Sequence, residues 1–142
     1  MRVLFVCRGN VGRSQMAEAF FNRMSKKNTG YSAGTSSRDE GVEGAVIGNG
    51  KWMTPDAMKE IGYDIYGNVS KQLSKPMVDQ ADKVVVIMRK EEGEMLMPDY
   101  LKKSGKVEMW EILDPKYKGM EVIRSVRDEI KMRVEKLVRE IG

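Results

Sequence analysis

The chain contains no histidine, which excludes Ser-His-Asp and Cys-His nucleophile pairs and imidazole metal ligation. It has a single cysteine, so an intramolecular disulfide, a CxxC redox pair and a cysteine-rich zinc site are excluded as well. A lone thiol suits a reducing cytosol. No stretch approaches the ~20 apolar residues of a membrane span. The opening run Met1–Cys7 is too short for a signal-peptide core and has no small-residue cleavage site, so a cytoplasmic location without a membrane partner is expected. A surplus of one charge is also missing. The 25 Lys and Arg against 21 Asp and Glu leave +4, with no long basic run, and nucleic acid is not an expected partner. The small excess weakly favours an anionic or acidic partner through steering.

What remains is globular. A chain of 142 residues, 41% hydrophobic and 32% charged, has room for one domain, 1–142, with a core that needs no staples. Val3–Val6 is an apolar run ending at Cys7 and predicts a buried strand. Met16, Ala17, Phe20, Phe21 and Met24 then recur at helical spacing, with Ser14 as the expected cap. A short strand is expected near Tyr31–Ser32, a loop over Ala33–Gly50, and a helix from Thr54-Pro55 to Gly62. Ser74 is placed to cap a short helix through Ala81. Lys83–Met88 reads as the central strand of a parallel sheet, Val107–Ile112 as another strand. Ile123, Val126, Ile130, Val134, Leu137 and Ile141 line one face of a closing helix from about Glu121. The order strand, helix, strand, helix, strand, strand, helix predicts an open α/β sheet with helices on both faces, a three-layer fold.

Ligands of such sheets bind at the carboxyl ends of the strands, and the loop there carries the chemistry. Cys7-Arg8-Gly9-Asn10-Val11-Gly12-Arg13-Ser14 joins the first strand to the first helix, where free backbone N–H groups and the dipole favour an anion. Glycines let successive amides curl inward as a nest. Arg13 offers a planar fork to two phosphate oxygens. The same positive field favours the Cys7 thiolate, to which Ser14 can donate, so Cys7 reads as a nucleophile beneath a bound oxyanion. Asn10 suits either a left-handed backbone position or a direct polar role. A rival reading is a damaged Walker A loop, but the strand Lys83–Met88 ends in Met88-Arg89 instead of the magnesium-holding Asp that a nucleotide site wants.

Without histidine, a carboxylate must protonate a leaving alkoxide. Asp114 follows the Val107–Ile112 strand on the same sheet edge as Cys7, and Pro115 stiffens its loop. Spacing alone fits a turn before the last helix equally well. Tyr117 can wall the site or stand exposed in a loop. Arg124, Arg127, Lys131 and Arg133 are expected on the solvated face of the last helix. Trp52 and Trp110 read as core anchors.

Val6-Cys7-Arg8-Gly9-Asn10-Val11-Gly12-Arg13-Ser14, Ser32-Ala33-Gly34-Thr35, the Val84–Met88 segment and Asp114-Pro115 together resemble the low-molecular-weight protein tyrosine phosphatase family, which includes related arsenate reductases. The resemblance implies four parallel strands flanked by helices, with the phosphate-binding loop between the first strand and the first helix. It implies Cys7 as nucleophile, Arg13 binding phosphate and the transition state, Asn10 shaping the loop, Ser14 steadying the thiolate and Asp114 as general acid, with no cofactor and no metal. Arg8, Gly9, Val11 and Gly12 complete the phosphate-binding loop. The implied substrate is a phosphotyrosine protein or a small phosphoester.

Three departures stand out. Gly12 occupies the position of a second, protective cysteine found in many family phosphatases, so overoxidation of Cys7 is expected to be harder to prevent. Ser36-Ser37-Arg38-Asp39 lacks the tryptophan often found there. Lys116 stands where an aromatic often follows the proline and is expected to bring positive charge to the rim. Thioredoxin-linked arsenate reductases need two further cysteines, absent here, whereas a reductase using an external thiol such as glutathione or mycothiol needs Cys7 alone. A third class, a non-catalytic phosphate binder, predicts anion binding without turnover.

Overall fold

A computed structural model describes residues 1–142. Four strands, β1 (Arg2–Cys7), β2 (Thr29–Gly34), β3 (Lys83–Ile87) and β4 (Val107–Trp110), form one sheet in the order β2-β1-β3-β4. Every pairing is parallel, with Cys7 beside Gly34 and Ile87 beside Trp110 at the carboxyl edge. The continuous apolar runs of β1 and β3 make sense in this order, because both strands are internal and covered on both faces. Val3, Phe5, Val85 and Ile87 point to one side, Leu4, Val6, Val84 and Val86 to the other. Each large side chain fully buried this way contributes about 1.5–3 kcal/mol.

On the first face lie α1 (Arg13–Met24), α2 (Thr54–Lys59) and α6 (Met120–Ile141). Phe20, Phe21, Ile130 and Val134 interlock there with the strand residues, and the Phe5 and Phe21 rings meet edge to face at 5.6 Å. The second face is covered by α3 (Lys75–Gln80) and α5 (Asp99–Lys102), through Val78 and Leu101. No helix is long and apolar enough to cross a membrane.

Three expectations change. The sequence order predicts β4 directly after β3, but α4 (Lys90–Leu96) and α5 intervene. Parallel neighbours require such a crossover. Ser14 does not cap α1: Gly12 does, and Ser14 lies buried inside the first turn with its hydroxyl engaged elsewhere. Arg127 is not on the solvated face of α6. It is buried, donating to the Ala57 carbonyl at 2.8 Å and to Glu60 at 2.8 Å, because the end of α2 packs over it. Trp110 is in the core as expected.

Candidate active site

The loop after β1 is held by its neighbours as well as by its own contacts. Thr35 N–H donates to the Cys7 carbonyl at 2.9 Å and Ser36 N–H to that of Arg8 at 2.8 Å. Gly34 sits so close beneath that a Cβ there would lie 2.6 Å from the Arg8 oxygen and 2.9 Å from the Asn10 nitrogen. The bare backbone of Gly34 is therefore what lets the loop close over β2. From behind, Ser70 Oγ donates to the Gly9 carbonyl at 2.8 Å and meets Ser37 Oγ at 2.6 Å.

Asn10 fills both roles open to it. Its φ is 56°, in the left-handed region that Asn tolerates, and its side chain is a hub. Oδ1 accepts from Lys71 N–H at 2.9 Å and from Gln15 Nε2 at 3.1 Å, while Nδ2 donates to Ser14 Oγ at 2.7 Å. Cys7 Sγ lies 3.0 Å from the same hydroxyl. Since the Asn10 amide can only donate to Ser14, the Ser14 proton is free to point at the sulfur. The chain of donors from Lys71 N–H through Asn10 and Ser14 thus ends on the Cys7 sulfur.

Arg13 is fixed as firmly. Its side chain is 2% exposed, and its two terminal nitrogens meet both oxygens of Glu92 at 2.8 and 3.0 Å. The Ile112 carbonyl accepts a further bond at 3.0 Å. Burial works against the guanidinium charge, but the Glu92 hydrogen bonds and the charges of Cys7, Glu92 and Asp114 outweigh it and raise its pKa. Burial likewise disfavours ionised Glu92, and the Arg13 hydrogen bonds overcome it, leaving that carboxyl below its usual range. Glu92 also accepts the Arg89 N–H at 3.0 Å, capping α4. Nothing local in the sequence marks Glu92. The need for a crossover between β3 and β4 is the one signal that could have drawn attention to its segment.

Asp114 comes to the same cleft, as the common sheet edge predicts. One carboxylate oxygen accepts the Lys116 N–H at 3.0 Å and the other stands 3.7 Å from Arg13 Nη2. Pro115, Lys116 and Tyr117 continue the rim, with Tyr117 92% exposed. Trp52, with Met53 and Thr54, lines the cleft as well, and its half-buried ring also packs against the core, so its reading as a core anchor holds only in part. The turn before α2 carries it to the mouth, and no pattern in the sequence marks that approach.

Of the loop residues, Cys7, Gly9, Val11, Gly12 and Arg13 line the cleft. Asn10 and Ser14 are buried behind it, and Arg8 turns outward to pair with Glu40 at 3.0 Å. This geometry can hold a tetrahedral oxyanion against a thiol and offer it a proton from a carboxylate, the work of a cysteine-dependent oxyanion enzyme. The chain belongs to the low molecular weight phosphotyrosine protein phosphatase family, whose sequence profile matches residues 2–142. It is 35% identical over 144 residues to a glutaredoxin arsenate reductase of Synechocystis sp., covering 99% of this chain and 98% of that one. Among solved structures, a low molecular weight protein tyrosine phosphatase from T. tengcongensis superposes with a TM-score of 0.82 at 29% identity, covering 99% of both chains. An arginine phosphatase from Geobacillus stearothermophilus gives 0.82 at 27% identity, covering 99% of this chain and 92% of that one.

Proposed function

We propose that this protein is a phosphatase that hydrolyses phosphotyrosine or other aryl phosphate monoesters through a phosphocysteine intermediate. Cys7 attacks phosphorus as a thiolate, with Ser14 donating to the sulfur. The backbone nest from Arg8 to Ser14 and the Arg13 guanidinium hold the phosphoryl oxygens as charge develops on them. Asp114 gives its proton to the leaving oxygen as the P–O bond breaks, and the Cys7–phosphorus bond forms. Asp114, now a carboxylate, takes a proton from the water that attacks phosphocysteine, releasing phosphate and restoring the thiolate. The observation that carries the reading is the approach of Asp114 to within 3.7 Å of Arg13, in a cleft shared with Cys7 and walled by Trp52 and Tyr117. Those aromatic walls suit an aryl leaving group.

A second reading, arsenate reduction by an external thiol, is favoured by the name of the Synechocystis relative and fits a chain with one cysteine. The two chemistries separate in one comparison. The phosphatase reading expects metal-free release of phosphate from p-nitrophenyl phosphate and from phosphotyrosine, with no arsenite formed from arsenate in the presence of glutathione and glutaredoxin. Arsenite formation without phosphate release would replace it with the reductase. Phosphate binding with neither product would leave a binding protein.

A further inference from the structure

The phosphate-binding floor leaves two cations unused. Apart from Cys7 and Tyr117, five ionisable side chains line the cleft: Arg13, Glu40, Lys51, Asp114 and Lys116. Arg13 is committed to Glu92, Glu40 to Arg8 at 3.0 Å, and Asp114 stands beside Arg13 at 3.7 Å. Lys51 and Lys116 form no salt bridge. Instead each ammonium lies over the ring of the residue that follows it, Lys51 at 5.0 Å from the Trp52 centroid and Lys116 at 5.1 Å from that of Tyr117. A cation over an aromatic face is held near the wall yet keeps its N–H donors for another partner.

The two pairs come from different loops, the turn before α2 and the segment that carries Asp114. Building on the phosphatase reading above, we infer that Lys51 and Lys116 read acidic residues flanking the phosphotyrosine, so that acidic phosphopeptides are the preferred substrates. Arg13 and the backbone nest serve the phosphate itself, and Glu40 is already countered by Arg8. Asp114 already faces the Arg13 guanidinium at 3.7 Å. The lysines therefore meet the charges next to the phosphorylated side chain, which a peptide has and a small monoester lacks.

Three phosphotyrosine peptides, flanked by Glu, by Ser or by Lys, together with p-nitrophenyl phosphate, test the inference by kcat/KM on the wild type and on a Lys51→Ser/Lys116→Ser double variant. Two partly exposed charge pairs are worth about three- to twentyfold between the Glu- and Ser-flanked peptides at low salt. The difference is expected in KM, as for uniform binding, and it collapses when about 0.5 M salt shortens the screening length. In the double variant the Glu-to-Ser ratio falls to near one. A wild-type ratio within about twofold of one, or an unchanged ratio in the double variant, overturns the inference while hydrolysis of the Ser-flanked peptide keeps the phosphatase standing. Hydrolysis of none of the four substrates overturns both.

Discussion

Glu92 is the residue on which the rigidity of Arg13 depends, and Glu92→Gln tests that dependence. The substitution keeps the size of the side chain but removes its charge and replaces one of the two acceptors now facing Arg13 at 2.8 and 3.0 Å. The amide NH₂ that takes that place points donor at donor. Arg13 is nearly sealed from solvent at 2% exposed, whereas Glu92 is 17% exposed, so water can relieve part of the loss. The stability cost is then that of a hydrogen bond to a charged group, about 1–3 kcal/mol, rather than the larger penalty of a fully buried broken pair. The effect on chemistry follows from geometry. With Glu92 weakened, Asp114, 3.7 Å away, becomes the nearest carboxylate and draws the guanidinium toward itself, disturbing the anion site and the proton donor together. A displacement of about 1 Å costs on the order of a hundredfold in rate. The assay is steady-state hydrolysis of p-nitrophenyl phosphate beside thermal unfolding, expecting kcat down about 10- to 100-fold with a smaller change in KM. A variant with kcat within about twofold of wild type would refute the view that Glu92 positions Arg13.

Asp114→Asn should lower kcat by about 10²–10⁴ for phosphotyrosine and by less for p-nitrophenyl phosphate, whose leaving group needs less protonation; equal losses for both would count against a general acid. Gly34→Ala places a methyl group 2.6 Å from the Arg8 carbonyl and should lower stability by about 1–3 kcal/mol and weaken phosphate binding, both readable by denaturant titration with and without phosphate. Glu60 is held at about 2 from its ordinary 4.5, first by the Arg124 hydrogen bond and also by Arg127. Its depressed pKa means that its contribution is complete above the unfolded value and is lost as pH falls from about 4.5 toward 2. Glu60→Gln should accordingly melt below wild type near neutrality, with the gap closing in acid.

Patterns that carry their own periodicity were legible from the sequence. β1, β3 and α6 announce themselves by apolar runs or a helical stripe, and the glycine-bearing loop after β1 points to an anion because strand, turn and helix start fall in the right order. Asp114 was legible only in part: it and Cys7 both follow strands of one parallel sheet, but the spacing fitted a turn equally well, and the family resemblance singled it out. What stayed hidden depends on tertiary approach. α4 is short, rich in glutamate and interrupted by Gly93, so no amphipathic signal marks it, and the role of Glu92 arises only when the crossover folds back over Arg13. Trp52 belongs to a turn whose path to the mouth no local rule predicts. Arg127 could have been found: it falls between Ile123 and Ile130 on the same apolar stripe, and a charge there implies a buried partner, supplied here by the Ala57 carbonyl and Glu60.

The proposed reaction depends on covalent chemistry at Cys7. The most direct measurement is acid quenching of the Asp114→Asn protein during turnover of an aryl phosphate, followed by mass spectrometry of the peptide that bears Cys7. Loss of the base slows hydrolysis of the intermediate, so a phosphoryl group on Cys7 is predicted to accumulate. Turnover that continues without any such adduct, and that survives Cys7→Ser, would contradict the central claim.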